Sequence, residues 1–68
     1  MIVVKDISIN QWSKKADCDI FADTKSEVTP GAEIVGLPNG VTIAQGSSLM
    51  TADGELAFMK SDGTWNWV

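Results

Sequence analysis

The chain contains no histidine, no arginine and no tyrosine, and it has a single cysteine, Cys18. Without histidine no Ser-His or Cys-His nucleophile pair can be drawn, and a zinc site of the usual Cys/His type has no ligand set. One cysteine cannot close an internal disulfide, so Cys18 reads as a small buried hydrophobe in a reducing compartment. Apolar runs are short: none approaches the roughly 20 residues of a membrane span. Met1-Ile2-Val3-Val4 gives way to Lys5-Asp6 where a signal peptide needs a longer apolar core, so no secretion by signal peptide and no membrane partner are expected. Basic charge is scarce too. Five lysines against nine Asp and Glu leave a net charge of −4, which repels a nucleic-acid backbone on average.

The length of 68 residues allows one small domain, spanning 1–68, whose core is thin. A chain this short buries only about 60% of the surface its unfolded form exposes. Lacking disulfide and metal, it is expected to draw stability from a partner.

Three stretches differ in texture. Residues 1–23 begin with a short strand candidate, Ile2 to Lys5. Ser8 and Gln11 then have the spacing of a capping box, and Ile9, Trp12 and Ala16 fall at i, i+3 and i+7. That spacing predicts a helix over about 9–17, too short to stand alone, with Trp12 packed on something outside it. Cys18, Ile20 and Phe21 continue the anchoring. Residues 24–47 are turn-rich. Thr29-Pro30-Gly31-Ala32 suits a type II turn, Ala32 to Val35 and Val41 to Ala44 are short strand candidates, and Gly36 to Gly40 is a further turn.

Residues 48–68 alternate like a β-meander around two Asp-Gly turns, Ala52-Asp53-Gly54-Glu55 and Ser61-Asp62-Gly63-Thr64. Read as two-residue type I′ loops, they set Leu49 opposite Phe58 and Phe58 opposite Trp67. One face then carries Leu49, Leu56, Phe58, Trp65 and Trp67, with Lys60 beside Trp65. The other carries Ser48, Met50, Ala57, Met59, Thr64, Asn66 and Val68. Both faces are apolar, whereas a lone meander keeps one side polar and wet. The short helix offers too narrow a stripe to cover both, so a second copy of the chain or a larger partner is the simplest lid.

Other chemistry has little to rest on. Asp17, Asp19 and Asp23 fall at positions 1, 3 and 7 of a calcium loop, but Phe21 and Ala22 stand where an oxygen ligand and a glycine belong. The glycines form no phosphate loop. The carboxylates read as turn and solvated residues, and Trp12, Trp65 and Trp67 as core or interface. The fold class expected is therefore α+β and mostly β, a short N-terminal helix on a small antiparallel sheet ending in a three-stranded meander. No enzyme activity, cofactor or metal is expected. The interface residues expected are Trp12, Phe21, Leu49, Met50, Phe58, Met59, Trp65 and Trp67.

The run Phe21-Ala22-Asp23-Thr24-Lys25-Ser26-Glu27-Val28-Thr29-Pro30-Gly31, the turn Gly36-Leu37-Pro38-Asn39-Gly40, the stretch Leu49-Met50-Thr51-Ala52-Asp53-Gly54-Glu55 and the closing Ser61-Asp62-Gly63-Thr64-Trp65-Asn66-Trp67-Val68 carry a family likeness. Over residues 20–68 the chain resembles short virion-associated proteins, of the head-fibre or small structural type, from phages and prophages of Gram-positive bacteria. The resemblance is one of texture and includes no catalytic or ligand motif. It implies a non-enzymatic structural protein, assembled in the host cytoplasm into the virion. Such a protein is a homo-oligomer, often a trimer in fibre-like cases, and contacts other virion proteins. A second reading, from the clustered Asp17, Asp19, Asp23 and Glu27, is a small acidic phage-encoded inhibitor or adaptor that binds a host protein.

Overall fold

A computed structural model describes residues 1–68. Six strands form one mixed sheet: β1 (Ile2–Asn10), β2 (Lys15–Ala22), β3 (Thr42–Ile43), β4 (Ser48–Thr51), β5 (Leu56–Met59) and β6 (Trp65–Trp67). Their order is β1-β2-β4-β5-β6, with β3 pairing the start of β2 ahead of β4. Strands β3 and β4 run parallel to β2, and every other pairing is antiparallel.

The expected helix over 9–17 is absent, and the only helical element is a 3-10 turn at Lys25–Glu27. The fold is a β sheet, not α+β. Ile9 and Ala16 face each other across a β1–β2 hairpin, and Trp12 sits at its tip, 96% exposed. Period-two alternation outcompetes the helical spacing: Ala16, Cys18, Ile20 and Ala22 are all buried, while Lys15, Asp17 and Asp19 between them are exposed. Asn10 supplies the turn. Its side-chain Oδ1 accepts the N–H groups of Trp12 (2.9 Å) and Ser13 (3.1 Å), and Lys14 takes the left-handed conformation, φ 58°, at the end of the loop. Ser8, expected to cap a helix, pairs with Asp17 within the hairpin.

The apolar residues of β1 lie in two phases, Ile2 and Val4, then Ile7 and Ile9. A β-bulge between Val4 and Asp6 reconciles them. The extra residue, Lys5, restores parity, so that Ile2, Val4, Ile7 and Ile9 oppose Ala22, Ile20, Cys18 and Ala16 on one inner face.

The C-terminal meander forms, but in a register one residue away from the expected one. Both Asp-Gly loops are three residues long. Thr51 and Glu55 close the first (Thr51 N–H to Glu55 O, 2.9 Å), and Lys60 and Thr64 close the second (2.9 Å). Each loop is a tight turn (Gly54 N–H to Thr51 O, 3.1 Å; Gly63 N–H to Lys60 O, 3.1 Å) followed by a glycine at positive φ, 92° and 86°. This is the bulged hairpin in which only glycine sits without strain at the last loop position. One added residue flips β5: Ala57 and Met59 face inward, Leu56 and Phe58 outward. The second added residue flips the chain back, so Trp65 and Trp67 point inward as expected.

Residues 23–47 cross the inner face and cover it. Val28, Ala32, Ile34, Leu37, Val41 and Ile43 pack on a core of Ile2, Ala16, Cys18, Ile20, Ala22, Leu49 and Ala57. The type II turn forms (Ala32 N–H to Thr29 O, 3.0 Å). The strand expected over 32–35 shrinks to one parallel bridge, Val35 to Val3, which straps the free edge of β1. The strand expected at 41–44 is β3.

Strand β2 changes partner midway, from β3 at Lys15 and Ala16 to β4 from Asp19 onward. The gap falls at Cys18, whose N–H has no strand to meet. Buried Ser47 fills it: its Oγ accepts the Cys18 N–H at 3.0 Å and donates to Ala16 O at 3.4 Å. Ser47→Ala orphans this amide in the core. Denaturant unfolding should show a loss of about 1–3 kcal/mol, the cost of a buried unsatisfied donor, and hydrogen exchange at Cys18 should accelerate.

Candidate functional site

The outer face of the sheet has no cover. Pairing aligns one row of side chains across β1, β2, β4 and β5. Val35 bridges Val3, Val3 opposes Phe21, Phe21 opposes Met50, and Met50 opposes Leu56. Val68 extends the row beside Leu56 through its N–H to Leu56 O, 2.8 Å. Paired residues share a face, so the row is a continuous apolar stripe. The next row adds Phe58, opposite Ser48. Met50 (56% exposed), Phe58 (42%) and Val68 (77%) stand well into solvent. Lys5 Nζ lies 5.6 Å from the Phe21 ring centre, a contact made from the bulge.

Carboxylates border the stripe on one side. Toward the β1–β2 tip lie Asp6, Asp19 and Asp17, with Asp6 directly opposite Asp19, an arrangement of like charges that costs stability. Ser48 Oγ donates to Asp19 Oδ1 at 2.7 Å. At the first loop the buried Thr51 hydroxyl, on the inner side, donates to Asp53 and accepts the Glu55 N–H (2.9 Å). No three His, Cys, Asp or Glu side chains converge as a metal site. Cys18 points inward. Burial first, then Asp17 and Asp19, push its thiol above the usual range, which is the reverse of an activated nucleophile.

A second apolar feature lies on the inner face at the open edge of the sheet. Trp65 and Trp67, two residues apart on β6, form with Val28, Pro30 and Thr64 a cleft of about 240 Å³. Lys25 Nζ stands 4.8 Å over the Trp67 ring. This contact and that of Lys5 are the two cation–π pairs, and Lys60, expected beside Trp65, instead closes the second loop through its main chain. Asp62 sits in that loop, next in sequence to Gly63 and Thr64 of the cleft lining.

The eight expected interface residues are thus divided among four places. Phe21, Met50 and Phe58 share the outer face. Trp65 and Trp67 line the inner cleft, and Trp12 stands alone on the hairpin tip. Leu49 and Met59 are core residues, Leu49 with no exposed surface at all. Sequence reasoning missed Val3, Val35, Leu56 and Val68 as members of the stripe. Once the loops are given three residues, alternation places Leu56 with Phe58 and Met50. Comparison with family models, curated proteins and solved structures finds no match for this chain.

Near the cleft, the Thr64 hydroxyl donates to Asp62 Oδ1 at 2.6 Å and the Thr64 N–H adds a bond at 3.0 Å, together holding this carboxyl below its usual range. A lowered folded-state pKa means these bonds stabilise the loop above the ordinary Asp pKa and are lost as pH falls through the lowered value. NMR titration should find Asp62 titrating below 3.8, and Thr64→Val should move it back toward that value.

Proposed function

We propose that the chain is a non-enzymatic assembly module that self-associates through the outer face of its sheet. The observation that carries this reading is the apolar stripe from Val35 to Val68, which runs across β1, β2, β4 and β5 and faces water. Soluble monomers seldom leave such a row uncovered. The broad dimensions of the molecule, 35 by 21 Å, suit a standard interface, which takes roughly 800 Å² from each partner. Burial of Phe21, Met50, Leu56 and Phe58 supplies the driving force.

The setting we assign is a phage or prophage virion, where the module would act as a capsid- or tail-attached fibre, decoration or adaptor. That assignment rests on the sequence resemblance over residues 20–68. The carboxylates beside the stripe favour one competing reading, an acidic module that captures a basic host protein.

Salt separates the two. When two copies meet stripe to stripe about a two-fold axis that runs across the stripe, the border of Asp6, Asp17 and Asp19 in one copy lies over the same border of the other. Added salt screens that repulsion, with a Debye length of about 8 Å at 0.15 M, and so strengthens self-association. Capture of a basic partner weakens under the same change. Sedimentation at tens of micromolar should show an oligomer that grows more stable from low to high salt. Met50→Glu should weaken it by tenfold or more, about 1.4 kcal/mol, while the circular dichroism of the fold stays unchanged. A monomer at every salt concentration refutes the reading.

A further inference from the structure

Two features remain unused by the stripe: the Trp12 finger and the Trp65/Trp67 cleft. We propose that they are the two halves of one contact, in which Trp12 of one copy inserts into the cleft of the next. The inference rests on the proposed self-association only in taking a second copy as the partner. It uses a different surface.

The finger is held out rigidly. Asn10 Oδ1 fixes the turn through the Trp12 and Ser13 N–H groups, and the Lys14 N–H bonds Asn10 O at 2.9 Å. An indole 96% exposed on an ordered loop can be buried with little further loss of backbone freedom. Tryptophan is also the residue most often found to anchor an interface when it enters a pocket.

The cleft fits that knob in size and chemistry. About 240 Å³ falls below the roughly 300–1,000 Å³ of small-molecule sites and suits a single bicyclic side chain. Its walls are two indoles, Val28 and Pro30, and edge-to-face or offset packing of an incoming ring is favourable there.

Within one chain the two halves cannot meet. The finger extends from the β1–β2 hairpin, the cleft opens at β6, and β4 and β5 lie between. Because knob and hole are different surfaces, the contact is head-to-tail. Copies joined this way close into a ring or run on as a filament, whereas the stripe pairs them two by two.

The test separates this contact from the stripe by working in the Met50→Glu background, where face-to-face association is weakened by tenfold or more, at concentrations where that association is not seen. Trp12→Ala keeps the cleft and lacks the knob; Pro30→Glu keeps the knob and places a carboxylate at the cleft mouth, on an exposed turn position where proline is not required. Each variant alone should be monomeric, and an equimolar mixture should form a 1:1 complex by sedimentation. The tryptophan emission of the mixture should shift to the blue as Trp12 leaves water. In the otherwise native chain, Trp12→Ala should reduce higher-order assembly to face-to-face dimers, and Trp12→Phe should restore part of it. Assembly by Trp12→Ala equal to that of the native chain, or no complex in the mixture, overturns the proposal and leaves the stripe reading untouched.

Discussion

Parity governs this structure. Side chains on a strand alternate between two faces, so a residue more or less in any connection sends the next strand's apolar set to the other side. The chain departs from simple alternation three times, and each departure is answered. The bulge at Lys5 brings Ile7 and Ile9 back into phase with Ile2 and Val4. The extra residue in the first Asp-Gly loop turns Leu56 and Phe58 outward, and the extra residue in the second returns Trp65 and Trp67 to the inside. The outer stripe is a product of that arithmetic. Had both loops been two residues long, Leu56 and Phe58 would have lain with Leu49 and the tryptophans, and the outer face would have carried Ala57 and Met59 instead.

Much of this was legible in the sequence and some was not, for identifiable reasons. Pro30-Gly31 and the two Asp-Gly pairs mark turns correctly, because proline and glycine impose backbone angles that few other contexts use. An Asp-Gly pair does not state how long its loop is. The same dipeptide serves as the centre of a two-residue turn or as the end of a three-residue one, and nothing local in Ala52-Asp53-Gly54 distinguishes them. The helix expected over 9–17 failed because Ile9, Trp12 and Ala16 satisfy a helical spacing by accident of a four-residue loop. The alternation of Ala16, Cys18, Ile20 and Ala22 was present just beyond that window, and the long-range pairing with β4 makes it decisive. Ser47 was invisible as well. Its role depends on a change of strand partner that only the assembled sheet reveals.

The inner face accounts for nearly all the order in the molecule. Leu49 is the one large side chain wholly removed from solvent, and the segment that covers it consists of turns, a single 3-10 element and the two-residue β3 in place of a second sheet or a helix. A lid of that kind contributes scattered apolar contacts, from Val28 to Ile43, without a continuous hydrogen-bonded layer of its own. One side of the sheet is closed by the chain itself. The other is left to whatever the chain meets.

The sheet is also divided in the order of its assembly. Hairpin β1–β2 and meander β4–β5–β6 each join neighbours in sequence and can form early, but they meet only along the parallel β2–β4 seam, where Asp19 and Ser48 stand 29 residues apart. Closing that distance is the slow step, because loop entropy is lost before the seam returns anything. The loop entropy of the whole fold is thus concentrated in one short parallel pairing of four residue pairs.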